Sequence, residues 1–234
     1  MSYLIQQVLT PEEVTQVRKI LNQTMDWKDG VTTVNTHGRP KMEARVFKDC
    51  YNLGQGGTDY KDASSIVFKA LDRCDVFYEY TVAKSTASVV FSRTPKGGFY
   101  KPHHDSTFNG HYSNTLFLSD PKEYGDGELS LIIDHEVKNI KLKPGMLVTY
   151  PIGVPHEVRT VTRGTRDVAV FWTRSRFNDP TLRDLYSKVH KLDKLVHDML
   201  GEKNQWSSVD EASKDPRFIL VNIKDAILRI GGTE

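Results

Sequence analysis

Thiols are scarce in this chain: Cys50 and Cys74 are the only cysteines among 234 residues, and they are not closely spaced. That excludes a disulfide framework of the kind that braces small secreted domains, and it leaves no thiolate zinc site. Both read as reduced, partly buried side chains. Long apolar runs are missing too. Runs such as 147–150 fall far short of the roughly 20 residues that cross a bilayer, so no membrane segment is expected. Nor is there an excess of one charge. Thirty-two Lys plus Arg stand against thirty Asp plus Glu, a net of +2, and the two signs are interspersed along the chain. A dedicated nucleic-acid-binding surface is therefore not expected. The first residues, Met1-Ser2-Tyr3-Leu4-Ile5-Gln6-Gln7, lack a basic stretch followed by an apolar core, and a cytoplasmic location is the expectation. The absence of internal repeats sets aside solenoids and propellers.

What is present has a clear order. Thr10-Pro11-Glu12-Glu13 combines a capping hydroxyl, a proline at the first helical position and a capping-box glutamate. Val14, Val17, Ile20 and Leu21 follow at helical spacing, which predicts an amphipathic helix ending before Trp27. Residues 28–61, rich in glycine and with little periodicity, read as a long irregular connection, with room for short strands, of the kind that lies over a site. A second helix is predicted over 63–78. From Thr86 the period changes. Segments 88–92, 114–118, 128–133, 137–142, 146–150, 156–161 and 167–173 are short and rich in β-branched and aromatic residues, with turn signals such as Lys143-Pro144-Gly145 and Arg163-Gly164 between them. Many short strands with no helices between them argue for an antiparallel sandwich or barrel. Asp179-Pro180 and Asp215-Pro216 then open two further helices, with 204–213 expected to be a flexible connection.

The chemistry centres on His103-His104-Asp105, which follows a Gly-Gly turn and Tyr100 where the chain should enter a strand. Residues two apart on a strand share a face, so His103 and Asp105 point to one centre and His104 away from it. His156 stands at the head of a later strand. Two imidazoles and one carboxylate suit non-haem Fe(II), because they leave coordination positions open. Farther on, alternation puts Arg166, Val168, Val170 and Trp172 on one face. A guanidinium rising from an apolar face needs a buried anion, and in such a metal site the anion would be the distal carboxylate of a keto-acid. Tyr100 fits either a hydrogen bond to co-substrate or packing at the barrel mouth, and Trp172 either core or pocket wall. His111 and His135 read as exposed loop or turn residues, and His190 and His197 as surface or helix-packing residues. The segment 106–113 should border the mouth along with 28–61.

Several stretches together resemble the PKHD-type hydroxylases, members of the iron(II)/2-oxoglutarate dioxygenase superfamily related to prolyl 4-hydroxylases. They are Phe99-Tyr100-Lys101-Pro102-His103-His104-Asp105, Thr115-Leu116-Phe117-Leu118-Ser119-Asp120-Pro121, Gly127-Glu128-Leu129, Leu142-Lys143-Pro144-Gly145, Tyr150-Pro151, His156, and Val161-Thr162-Arg163-Gly164-Thr165-Arg166. The resemblance implies a mainly β fold with flanking helices (α+β) around a double-stranded β-helix, or jelly roll. Residues 86–176 would be the core, 1–85 the N-terminal helices and irregular loop packed on it, and 177–234 a helical extension, one catalytic domain in all. It implies one Fe(II) per subunit held by His103, Asp105 and His156, with 2-oxoglutarate on Arg166, O2 as the other co-substrate, and L-ascorbate by family analogy. Tyr100 is a catalytic candidate. The expected activity is hydroxylation of a prolyl or other amino-acid side chain in a peptide or protein, with succinate and CO2 as co-products. A homodimer stays open.

Two other readings compete. A non-catalytic jelly-roll module that binds or senses a small acid or metal would have no reason to keep three positions of a metal open. A zinc hydrolase built on the same triad leaves Arg166 unexplained and lacks an obvious general base. The segment Gly54 to Gly57 and the run Arg39-Pro40-Lys41 depart from the family pattern, which bears on the substrate rather than the metal.

Overall fold

The computed structural model describes residues 3–33, 45–203 and 205–231. Strand β1 (Leu4–Gln7), which has no signal in the sequence, precedes helix α1 (Pro11–Gln23). The predicted capping box at α1 is formed: the Thr10 hydroxyl accepts from the Glu13 N–H while the Glu13 carboxylate accepts from the Thr10 N–H. Val14, Val17 and Leu21 make its buried face. The stretch expected to be irregular contains three short strands, β2 (Trp27–Asp29), β3 (Lys48–Asp49) and β4 (Tyr51–Leu53). Of the departures from the family pattern, Arg39-Pro40-Lys41 lies outside the described residues, and Gly57 is the cap of the next helix.

One expectation fails here. The helix predicted over 63–78 is two helices, α2 (Thr58–Asp72) and α3 (Asp75–Thr81). Arg73 leaves helical geometry (φ −94°, ψ 2°), and its guanidinium bonds to the Val8 carbonyl and pairs with Glu13. Apolar spacing continues across the break, so periodicity cannot see it.

Strands β5 (Ala83–Thr86), β6 (Val90–Pro95), β7 (Phe99–His103) and β8 (Tyr112–Phe117) come next. Then follow β9 (Gly125–Asp126), β10 (Leu129–Ile133), β11 (Glu136–Ile140) and β12 (Met146–Pro151). The last are β13 (His156–Val158), β14 (Val161–Arg163) and β15 (Thr165–Ser175), so the single strand expected over 156–161 is interrupted. Helices α4 (Pro180–Leu200), α5 (Val209–Ala212) and α6 (Pro216–Gly231) close the chain.

These elements gather into two compact units, residues 1–74 with 86–173, and residues 75–85 with 174–234. In the first, antiparallel strands form one sheet ordered β1-β12-β8-β15-β6-β4-β2 and another ordered β11-β10-β13-β7-β3. Phe117, Val148 and Val168 of the first sheet bury against Leu129, Leu131 and Ile140 of the second, giving the jelly-roll core. Sharp turns depend on glycine at two places. Gly145 (φ +84°) and Gly164 (φ +69°) take left-handed conformations, and a Cβ on Gly164 would sit 2.0 Å from the Glu123 carbonyl oxygen.

The second unit is helical. Val82, Phe177, Tyr186 and Ile227 form its apolar cluster, and α4 packs along α6. Asp179 caps α4 by accepting from the N–H groups of Thr181 and Leu182. The connection expected to be flexible over 204–213 carries α5, capped by Ser208. Four residues are too few to show a period. Among the described residues no helix is long and apolar enough to cross a membrane.

Candidate metal centre

Strands β7 and β13 are neighbours in the second sheet, and their antiparallel register sets His103 opposite His156. Two histidines far apart in sequence thereby become a cross-strand pair, with ring centroids 4.2 Å apart. The register slips between His156 and Val158, an irregularity of the kind that re-aims side chains beside functional sites. Asp105 is held differently from the expectation. Because β7 ends at His103, strand alternation does not orient it; Ser113, fully buried on β8, donates a 2.7 Å hydrogen bond to its Oδ2. The result is that one ligand atom from each of His103, Asp105 and His156 lies within 4.8 Å of the others.

The imidazoles are prepared for this use. Nδ1 of His103 meets the Lys101 carbonyl at 2.8 Å, and Nδ1 of His156 meets the Val154 carbonyl at 2.9 Å. A carbonyl can only accept, so each Nδ1 carries the proton and each Nε2 keeps a lone pair for a metal. Burial, and after it the neighbouring His156, pulls the His103 pKa down to about 4, so the ring is neutral at physiological pH. Tyr100 stacks on His103 with centroids 3.6 Å apart, and burial raises its phenol to about 12. Tyr150, almost wholly buried, presents an edge to His156 at 5.3 Å.

A cavity of about 920 Å³ opens on this group. Arg166, Val168, Val170 and Trp172 all line it, as the alternation on β15 requires, and so do Thr94, Ser92 and Val90, the cross-strand partners of the first three. Arg166 is only 2% exposed, and its Nε and Nη2 have no hydrogen-bond partner. Burial pulls its pKa down, and the neighbouring Tyr124 opposes that. A buried guanidinium with open donors is costly until an anion meets it. The residues therefore fit the groups that the family resemblance implies: two imidazoles held by Nδ1 with Nε2 free, and a carboxylate, suit Fe(II), and the open guanidinium in the same cavity suits the far carboxylate of 2-oxoglutarate.

The other histidines fall largely as read. His104 is exposed yet borders the cavity, His111 is half-buried, and His135 occupies the tight turn between β10 and β11 with φ +67°. His190 stacks on Tyr186, and His197 bonds to the Asp193 carbonyl, both in the helical unit. Both segments expected at the mouth contribute lining residues, among them Phe47, Lys48, Ser106 and Thr107. Lys48 and Ser113 escape sequence reasoning. Lys48 belongs to a two-residue strand inside an aperiodic stretch, and Ser113 is one of several polar residues in a buried strand.

Comparison with known proteins bears on this arrangement. Residues 89–174 match the family model of the 2OG-Fe(II) oxygenase superfamily. A PKHD-type hydroxylase of Thermosynechococcus vestitus is 33% identical over 206 residues, covering 85% of this chain and 89% of its own length. Another, from Prochlorococcus marinus, is 30% identical over 238 residues and covers 99% of this chain and 100% of its own. Among solved structures, a prolyl hydroxylase of Trichoplax adhaerens in complex with a hypoxia inducible factor oxygen degradation domain peptide fragment matches with a TM-score of 0.58. It is 18% identical, over 74% of this chain and 83% of that one. A Pseudomonas putida prolyl-4-hydroxylase matches with a TM-score of 0.53 at 18% identity, over 74% of this chain and 92% of that one. At such identities the two structures speak for the fold alone.

Proposed function

This chain belongs to the PKHD-type hydroxylases of the 2OG-Fe(II) oxygenase superfamily, and from that membership we propose that it hydroxylates a prolyl or other amino-acid side chain in a peptide or protein. As a member it is an oxidoreductase dependent on Fe(II), 2-oxoglutarate and O2. The observation that carries the residue assignment is one cavity lined both by the His103, Asp105 and His156 cluster and by a buried guanidinium with open donors. In this reading the three side chains hold one Fe(II) per subunit, and Arg166 takes the distal carboxylate of 2-oxoglutarate through Nε and Nη2.

Bound together, Fe(II) and 2-oxoglutarate supply the oxidising chemistry, in which O2 is divided between the succinate left by loss of CO2 and the new hydroxyl group. The protein's part is placement. The Lys101 and Val154 carbonyls keep both Nε2 atoms aimed at one point, and Ser113 fixes the carboxylate. Tyr100 acts as a positioning residue that braces the His103 ring by stacking. Val168, Val170 and Trp172 give the cavity a wall that excludes water from the reacting carbon. The Trichoplax protein shares the fold and carries a bound peptide, and the peptide substrate proposed here is an analogy of fold with it.

Succinate release over a peptide array, with Fe(II), 2-oxoglutarate and ascorbate supplied, tests the reading. Turnover should require both Fe(II) and 2-oxoglutarate, and His103→Ala or Arg166→Ala should lower it by about 100-fold or more, the scale of losing a preorganised electrostatic contact. A folded variant of either kind that keeps full turnover would falsify the assignment. Metal binding with no succinate on any peptide would instead mark a binding module.

A further inference from the structure

The helical unit leaves an apolar face without a cover. Its long helices α4 and α6 run antiparallel: Leu182 lies against Gly231, Asp193 pairs with Lys224, and Arg217 donates to the Gly201 carbonyl. Asp193 and Lys224 thus mark the seam between the two helices. At 3.6 residues per turn, Leu185, Leu192 and Met199 of α4 form a row about 100° behind Asp193, and Ile219 and Ile223 of α6 a row about 120° behind Lys224. Viewed from one end, antiparallel helices wind in opposite senses. Rotations of the same sign from the seam therefore bring both rows to the same side of the pair.

The spacing on that side is the spacing of a coiled-coil seam. Positions 185, 192, 195 and 199 follow one another at seven, three and four residues, and positions 219, 223 and 226 at four and three. Each helix already has its partner along Asp193 and Lys224, so this second seam looks away from it. Leu185, Leu192, Leu195, Met199, Ile219 and Ile223 are between 41% and 82% exposed. Such residues offer about 190 Å² each when fully exposed, so the six leave roughly 600 Å² uncovered, as much as an ordinary monomer shows in one patch. Half-buried Val196 and Ala226 lie among them, which brings the face close to the roughly 800 Å² that each partner gives to a standard interface.

We propose that this face is the interface of a homodimer, in which the α4 and α6 pairs of two chains close into a four-helix bundle. The charges favour a second copy as the occupant. Among the described residues, Lys188 is the one charge within the α4 row, and it is paired along the helix with Asp184 at 2.6 Å. The α6 row carries none. A face so nearly uncharged meets itself across a two-fold axis without like-charge repulsion. A lipid surface would instead call for a rim of Lys and Arg, whereas α4 edges its row with acids, Asp184 and Asp198, as well as Lys191.

Analytical ultracentrifugation of the full chain tests this. The wild type should sediment as a dimer with a dissociation constant of about 1 µM or tighter, within the range of interfaces of this size. Leu192→Glu combined with Ile223→Glu should leave only monomer at about 50 µM, since the dimer would then bury unpaired carboxylates. Leu192→Ala combined with Ile223→Ala, mild changes at exposed helical positions, should weaken the dimer about tenfold or more. Val221→Glu, on the opposite side of α6, should leave it intact. Circular dichroism follows the helices in every variant, and the alanine pair keeps the test open if the glutamate pair unfolds. A wild type that is monomeric at about 50 µM overturns the proposal, as does a dimer that the alanine and glutamate pairs leave equally tight. Flotation of a monomeric wild type with phosphatidylglycerol vesicles, abolished by the glutamate pair, would give the face to a lipid surface and overturn it as well.

Discussion

Arg166 shows most directly how stability is given up for a site. Its guanidinium is buried beside Phe117 and Tyr124, yet Nε and Nη2 have no hydrogen-bond partner. Replacing such a charge with an apolar side chain of similar volume should relieve the desolvation cost without leaving a charged partner behind. We expect Arg166→Leu to make the metal- and co-substrate-free protein more stable, by on the order of 1 kcal/mol or more, in urea unfolding followed by circular dichroism. The same variant should lose 2-oxoglutarate binding while still taking up Fe(II). A lower urea midpoint would mean that Arg166 has a structural partner after all.

Elements whose ends carry chemical signals were readable in the sequence, and those without such signals were not. Thr10-Pro11, Asp179-Pro180 and Asp215-Pro216 each announced a helix, because a cap and a proline act on the chain locally. The break at Arg73, the strand β1 and the short helix α5 depend on partners distant in sequence or are too brief for a period. Around the cavity, His103, Asp105, His156 and Arg166 stood out because their residue types are rare in such surroundings, although the expected strand geometry of Asp105 is in fact a tether from Ser113. Lys48 had no such contrast with its neighbours.

One element end also yields a pH signature. Asp215, at the head of α6, accepts from the Arg217 side chain, the Trp206 indole and the Arg217 backbone N–H, and the Arg217 contact chiefly holds its carboxyl below the usual carboxylate range. Lys203, and after it Ser207, hold Glu211 down to about 2. Groups with lowered pKa stabilise the fold fully above the ordinary carboxylate pKa of about 4 and lose that contribution as pH falls through the folded value. The Trp206 indole N–H resonance should therefore stay unchanged from about pH 5 to about pH 4 and move only below that. In Asp215→Asn the movement due to this carboxyl should disappear. A wild-type midpoint near the ordinary value would contradict the contacts described.

For the whole molecule the useful fact is that every residue of the candidate site belongs to the sandwich unit. Ligands that bind only the folded site stabilise what must stay closed to hold them. With Mn(II) and 2-oxoglutarate each at about 100 times its dissociation constant, exchange of amides that open with the site should slow about 100-fold or more. Mass spectrometry should show this in β7, β8, β13 and β15. Protection absent from those strands would contradict the placement, and equal protection throughout α4 and α6 would show the two units opening together.

The opposition of His103 and His156 across β7 and β13 has a consequence for how the protein matures. The two strands are distant in sequence, and their pairing is the kind of long-range contact that forms late, after loop closure has been met by other contacts. Until that rung closes, the chain offers His103 and Asp105 without the third member of the candidate set. On the assignment proposed above, firm uptake of the ion waits for that closure: a half-made chain holds two of the three ligands, and the finished one is fastened by the third.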